Sequence, residues 1–389
     1  MENAVNKLGR RIRLGVVGGG GAALIGPVHR AAARLDDMME VTAGVLSSNA
    51  ERCVADARRL MIPAGYPDLG AMLAGEGDRL DAVAVMTPND SHGPLSLQAL
   101  AAGRHVICDK PLTNDLAEAR QLVEAVRRSG LVFGLTHNYS GYPMIRQARA
   151  MVEAGELGAI RLVHVVYAQG SLAARVEDDP ASIPPRLRWR IDPAKGGASH
   201  VMGDIGTHAH QLATYITGLE VERVLADVGA VVPGRTAHDT ASLLLRLEGG
   251  ARGVLWATKA ATGAENAMSI EVYGEKGGLY WEHASANALR FMRNAEPAML
   301  LTRGLPGLHP LARRAARVPP GHPEGFHEGF GNLYRDFALQ VAARILGEQP
   351  DPLAMTLPTV EEGARGLALI EAALRSTETG SWAEVERIG

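Results

Sequence analysis

Three residues in this chain have the type and setting to move protons. The stretch "HVICDKPLTND" at 105–115 ends an apolar run in an acid and a lysine, with a proline directly after. Proline has no backbone donor and pushes the residue before it toward extended backbone. Lys110 is thereby held at the mouth of a strand and kept out of the helix that follows. Further on, "GDIGTHAHQL" at 203–212 sets Asp204 and His208 four apart, one helical turn on one face. An imidazole titrates near neutral pH, so His208 suits a general base, and Asp204 suits a hydrogen-bond acceptor or a stabiliser of the imidazolium.

Each has a structural alternative. Lys110 can snorkel at the surface, Asp204 can cap a helix, and His208 can sit satisfied beside the apolar stripe Ile205, Ala209, Leu212 and Ile216. His200, Asp204 and His208 also fall at i, i+4 and i+8, as metal ligands can. No cysteine pair or HExxH signature accompanies them, and no metal is expected.

The elements that must position these groups follow from pattern. In the first third, apolar strands at 13–18, 40–46, 82–87, 105–109 and 131–137 alternate with helical patterns at 27–35, 50–60, 94–102 and 114–129. In the last helix Thr113 is the expected N-cap, Leu116, Ala119, Leu122, Val123 and Val126 form one stripe, and Gly130 is the stop. Repeated strand–helix–strand means a parallel sheet covered on both faces. Between the first strand and helix lies "GGGGAALIG". Gly18 and Gly20 permit a tight turn and close approach of a pyrophosphate, and Gly26 lets the helix pack near the strand, as in a dinucleotide-binding loop. Gly26 stands six positions after Gly20 rather than three, so the loop is longer than the usual fingerprint. After the second strand, Ser47, Ser48 and Asn49 can bond a ribose, whereas Arg52 can meet a 2′-phosphate.

After about Tyr142 the pattern changes to "IRLVHVVYA", "RVLADVGAVV", "TASLLLRLEGG", "ARGVLWATKA" and "MSIEVYGEKGG", with a helical insert at 204–217. These read as neighbouring strands of a mostly antiparallel sheet. Residues 304–325, rich in glycine, proline and arginine, read as a long loop, and helices at 332–346 and 359–376 close the chain. The fold class is α/β, with domains at 11–140 and 141–389. A length of 389 residues agrees with two domains. A net charge of -3 makes no case for nucleic acid or an anionic membrane as partner. With two cysteines, Cys53 and Cys108, no stretch of about 20 apolar residues and no export signal, the cytoplasm is expected.

The glycine loop, "TPNDSH" at 87–92, "CDKP" at 108–111 and "GDIGTHAHQL" occur in an order that resembles the Gfo/Idh/MocA family of nicotinamide-dependent sugar and polyol dehydrogenases. The likeness runs from about Arg13 to the final helices. "HVICDKPLT", "THNYSGYPM" and "GDIGTHA" look nearest to members that oxidise inositols and unphosphorylated hexoses. The resemblance implies an N-terminal Rossmann domain and a C-terminal open-faced sheet through which homodimers or homotetramers form. It implies Lys110 beside the nicotinamide, and Asp204 and His208 touching the substrate, with all three catalytic. Asp109 stands where glutamate is usual. The implied cofactor contacts are Gly18, Gly20, Gly21, Ile25, Ser47, Ser48, Arg52, Thr87, Pro88, Asn89, His92, Asp109, Lys110 and Asn138, with NAD expected and NADP left open. Substrate contacts are expected from Tyr139, Tyr142, Arg190 (beside Arg186 and Arg188) and His327 (rather than His322), besides the catalytic three. The expected activity is NAD-dependent oxidation of a secondary hydroxyl on a cyclic polyol or free sugar. The alternatives are a redox-neutral sugar epimerase or glycosidase that uses NAD, and a catalytically silent NAD-binding sensor.

Overall fold

The apolar runs of the first third form the strands β1 (Ile12–Gly18), β2 (Met39–Val45), β3 (Ala64–Gly65), β4 (Ala82–Met86), β5 (His105–Cys108) and β6 (Phe133–Leu135) of a computed structural model. It describes residues 3–21, 23–178, 183, 188–189 and 191–389. All pair in parallel in the order β3-β2-β1-β4-β5-β6. The order reverses at β1/β4, where ligands bind in open α/β sheets. β4 and β5 are buried along their whole length, as strands covered on both faces must be.

The four expected helices of the first third lie within two residues of their expected bounds, and the cap of the last one differs. The helix Leu116–Ser129 is capped by Asp115, whose side chain accepts from Glu118 N–H, and not by Thr113. The Thr113 hydroxyl donates to the Asp115 carbonyl at 2.8 Å, so the threonine braces the cap from outside.

The chain forms two units. The first runs to Gly141 and takes in Phe326–Gly363. The helix Phe326–Leu346 starts six residues before the expected 332, and its Phe330, Leu333, Tyr334, Phe337, Ala338, Val341 and Ala342 complete a core with Ile12, Leu14, Ala32, Ala33 and Ile107. Asp81, just before β4, ties the start of β1. It takes Arg10 Nη1 at 2.6 Å, Arg13 Nη2 at 2.9 Å and the Arg13 backbone N–H at 2.8 Å. Burial alone would raise the Asp81 carboxyl, but the hydrogen bonds from Arg13 and Arg10 outweigh it and bring its pKa down to about 2. A depressed carboxyl stabilises the fold above its unfolded pKa and loses that contribution as pH falls. We therefore expect about 2 kcal/mol of unfolding free energy to be lost between about pH 5 and pH 2, and Asp81→Asn to remove that part of the dependence. Urea melts at each pH check this.

The second unit spans Tyr142–Gly325 and Ala364–Gly389. Its sheet comprises β7 (Ile160–Ala168), β8 (Val221–Gly229), β9 (Thr240–Leu247), β10 (Arg252–Thr258), β11 (Ala267–Gly274), β12 (Gly278–Glu282), β13 (Ala288–Met292), β14 (Met299–Thr302) and β15 (Ala383–Glu384). The order is β14-β13-β12-β11-β7-β10-β9-β8-β15, with β7/β10 parallel and the other described pairs antiparallel. Burial alternates along β9 and β10. Leu243, Leu245, Leu255 and Ala257 face the helices, while Leu244, Val254 and Trp256 stand exposed on the other face with Leu162 and Tyr273. Residues 304–325 are not a bare loop, since Pro310–Arg313 is helical and the buried Arg303–Glu324 pair, at 3.1 Å, ties the segment's two ends. Among the described residues no helix is long and apolar enough to cross a membrane.

Candidate active site

The glycine loop ends β1 with backbone that a side chain would obstruct. Gly18 has φ 87°, and a Cβ there would stand 2.6 Å from the Met86 carbonyl oxygen. Gly26 is the second residue of the helix Ile25–Arg34, and a Cβ there would fall 2.1 Å from the Gly19 carbonyl oxygen. Gly20 packs on the Leu46 carbonyl, Arg30 braces the loop through Nη1 to the Gly19 carbonyl at 2.6 Å, and Ile25 forms the helix's first position. The insertion thus lengthens the loop without losing the close approach of strand to helix terminus. That cradle fits a dinucleotide pyrophosphate.

Beyond β2 the expected ribose partners divide. Asn49 caps the helix Ala50–Arg59, accepting from Arg52 N–H at 2.9 Å, and Ser47 Oγ accepts from Asn49 N–H at 3.1 Å. Asn49 is therefore committed to the helix, while Ser48 and Arg52 are exposed. Around β4, Thr87 accepts from the Ser91 hydroxyl, Pro88 is exposed, and Asn89 is buried. His92 is 1% exposed, with Nδ1 at 2.7 Å from the Pro111 carbonyl and Nε2 at 2.9 Å from that of Thr87. Its ring is spent tying the Thr87 turn to the lysine loop.

Lys110 follows β5 at the carboxyl edge of the sheet, and its peptide to Pro111 is cis. Asp109 Oδ1 accepts from the Lys110 N–H and from the Thr136 hydroxyl, each at 2.9 Å. Burial would raise the Asp109 carboxyl. His29, with Nε2 3.9 Å away, and the charges of Lys110 and His92 outweigh it and hold the group well below the usual carboxylate range. His29 Nδ1 in turn lies 2.7 Å from the buried Tyr334 hydroxyl. The aspartate thus fixes the backbone that carries Lys110, a task its shorter side chain performs at hydrogen-bond distance. His29 and Tyr334 were not singled out from sequence. A polar residue on the inner face of an otherwise apolar helix was the available signal.

In the second unit Asp204 lies in a π-helical turn, Met202–Gly206, that leads into the helix Thr207–Thr217. The N-cap is Gly206, so Asp204 does not cap the helix, and the wider turn breaks the simple four-residue spacing to His208. His208 is 7% exposed and its ring lies 6.1 Å from that of Tyr167. His210, two residues on, is a core residue: burial, aided by Arg365, pulls its pKa down to about 4. The carboxylate of Asp204 is paired with Lys259, whose ammonium also bonds Gln169 Oε1 at 3.0 Å. Gln169 Nε2 reaches Asn266 Oδ1 at 2.8 Å, where the Tyr167 hydroxyl also donates at 2.8 Å. Asn266 Nδ2 lies 3.2 Å from His283 Nδ1, and His283 Nε2 lies 3.1 Å from the Tyr142 hydroxyl. Tyr167 and Gln169 come from the end of β7, and Lys259, Asn266 and His283 from the ends of β10, β11 and β12, so only the fold brings the four ends together.

The remaining expectations fare differently. Tyr142 is 1% exposed and edge-on to Trp281 at 5.8 Å, and its hydroxyl joins the array. Tyr139 and Asn138 are buried in a short 3₁₀ turn, Asn138–Gly141. His327 lies in the first turn of the helix Phe326–Leu346 rather than in a loop, exposed and edge-on to Phe326, and His322 is exposed. Gly21 has φ 53°, and a Cβ there would meet an Asp56 carboxylate oxygen at 3.6 Å. Arg190 and Arg186 lie outside the described residues, and Arg188 donates to the Ile183 carbonyl at 2.9 Å. Among the described residues no group of three or more His, Cys, Asp or Glu side chains is placed to hold a metal.

Comparison with known proteins agrees with this architecture. Residues 12–137 match the oxidoreductase family with an NAD-binding Rossmann fold, and residues 145–280 match the GFO/IDH/MocA C-terminal domain. An oxidoreductase from Sinorhizobium meliloti is 42% identical, with a TM-score of 0.83, over 96% of this chain and 99% of that one. An inositol dehydrogenase homolog from Azotobacter vinelandii, solved with NAD+, is 34% identical, with a TM-score of 0.90, over 99% of this chain and 100% of its own. The same homolog has been solved with NADH and myo-inositol (34% identity, TM-score 0.86, 96% and 98% coverage). Levoglucosan dehydrogenase from Pseudarthrobacter phenanthrenivorans is 25% identical over 81% of this chain and 82% of its own. With its glycine cradle, its parallel and open-faced sheets and these matches across both, the chain belongs to the Gfo/Idh/MocA family of NAD-dependent oxidoreductases.

Proposed function

We propose that the chain oxidises a secondary hydroxyl of a cyclic polyol or unphosphorylated sugar. The observation that carries this reading is the array that runs from Asp204 through Lys259, Gln169 and Asn266 to Tyr167, the ring neighbour of His208. Its carboxylate is already balanced by Lys259, and the remaining groups are amides, hydroxyls and imidazoles. Such a set hydrogen-bonds a neutral, polyhydroxylated ring and offers an anionic one little net charge. The myo-inositol complex of the Azotobacter homolog supports the same class.

Bound NAD supplies the acceptor for the hydride that leaves the carbinol carbon. The imidazole of His208 takes the hydroxyl proton while the C–H bonding pair departs and the C–O bond becomes a carbonyl, so charge and atoms balance. Asp204 orients a neighbouring hydroxyl. The Lys110 ammonium stabilises negative charge on the reacting oxygen. Assembly through the open face of the large sheet is part of the same proposal, and the exposed Leu162, Leu244, Val254 and Trp256 support it.

Inositols, hexoses and sugar acids offered with NAD and with NADP, read at the reduced-nicotinamide absorbance, test this reading. We expect stoichiometric NADH from at least one neutral polyol. Turnover without net NADH would instead identify redox-neutral chemistry, and reaction of a sugar phosphate alone would overturn the substrate class.

A further inference from the structure

Lys259 follows β10 directly and is 5% exposed, a burial that an ammonium tolerates only when paired. Its backbone is fixed on both sides, with N–H donating to the Asp239 carbonyl at 2.8 Å and C=O accepting from Leu172 N–H at 2.9 Å. The ammonium meets Asp204 Oδ2 and Gln169 Oε1. Its charge is therefore placed by the sheet rather than by a wandering side chain.

We infer that Lys259 is a positioning residue that holds Asp204 as a charge-balanced carboxylate, so that Asp204 orients substrate hydroxyls and leaves the reacting proton to His208. The role assigned to His208 rests on the function proposed above. The physical argument concerns the field at the imidazole. An uncompensated carboxylate four residues before His208 in the chain favours imidazolium, whereas a carboxylate with an ammonium on it presents only a dipole. The other groups facing this segment do not replace that balance. On the strands packed against the helix Thr207–Thr217, the inward residues are apolar (Val163, Val165, Leu255, Ala257, Met268, Ile270) except for Tyr167. From the helix Pro143–Glu153 come Arg146, which is buried, and Arg149, which lies over Tyr215. Arg365 faces His210, and His200 lies on the preceding turn. Arg235 near the array is itself paired with Asp239 and Glu177.

The test is a titration that needs no substrate. Full-length protein carrying ¹³C-labelled histidine is followed by NMR from pH 5 to 9, with the His208 resonance assigned by its loss in His208→Gln. Lys259→Met should raise the His208 midpoint by about one pH unit, and Asp204→Asn should lower it by about as much. The double variant, which buries no unpaired charge, should return it to the wild-type value. If Lys259→Met fails to fold, the fall in Asp204→Asn and its absence in the double variant decide alone. Unmoved midpoints, or shifts of one sign in both single variants, overturn the inference. The outcome is independent of the polyol screen, so failure of the substrate class and failure of the lysine's role are told apart.

Discussion

If His208 is the base of the proposed polyol oxidation, we expect its replacement with glutamine to lower kcat/KM by about 10²- to 10⁴-fold and to leave NADH binding within experimental error of wild type. That is the usual contribution of a positioned general base. Glutamine keeps the length and hydrogen-bonding capacity of the side chain but cannot accept a proton near neutral pH. The glycine cradle contains no residue of the helix Thr207–Thr217, so the substitution leaves the cradle's own residues unchanged. Initial rates with a polyol found by the screen, set beside NADH fluorescence titration, measure both. A variant that kept its rate would remove His208 from the chemistry. A variant that lost rate and NADH affinity together would point to a folding defect.

The second large effect comes from one methyl group. Alanine at Gly26 would place its Cβ 2.1 Å from the Gly19 carbonyl oxygen and 2.5 Å from the Gly19 Cα. Both are backbone atoms of the cradle, so no rotamer relieves the clash and the loop itself must move. We expect NADH affinity to fall by more than about 10²-fold, with a stability loss of about 1–3 kcal/mol typical of forced overpacking. Gly21→Ala is the matched control. Its added Cβ would find only an Asp56 carboxylate oxygen at 3.6 Å, so its cost is the strain of a left-handed backbone alone. Equal losses in the two variants would show that close approach of strand and helix is not what the cradle needs.

Much of this architecture was legible because the physics is local. β4 is buried along its whole length and appears as an unbroken apolar run, and Gly130 does end its helix, in left-handed backbone with φ 61°. What was missed depends on partners distant in sequence or on choices between near-equal neighbours. Thr113 and Asp115 both have cap chemistry, and only the helix's actual start selected the aspartate. β3 is two residues long, too short to carry a period. Asn49 read as a ribose ligand because its capping bond is seen only once the helix Ala50–Arg59 is in place. The π turn at Met202–Gly206 shifts Asp204 off the ideal helical face without a sequence mark. Lys259 had no interpretable context, since the carboxylate it balances lies 55 positions earlier in the numbering. Lys110, Asp204 and His208 could be proposed for the opposite reason, because each sits in a short motif whose residue types suit proton transfer.

The helix Phe326–Leu346 completes the core built on β1 and the helix Ile25–Arg34. A nascent chain that has only reached Gly141 therefore leaves Ile12, Leu14 and Ala33 without their covering layer, and more than three hundred residues must leave the ribosome before that layer arrives. For the nucleotide-binding half of the molecule, being translated first does not mean being finished first.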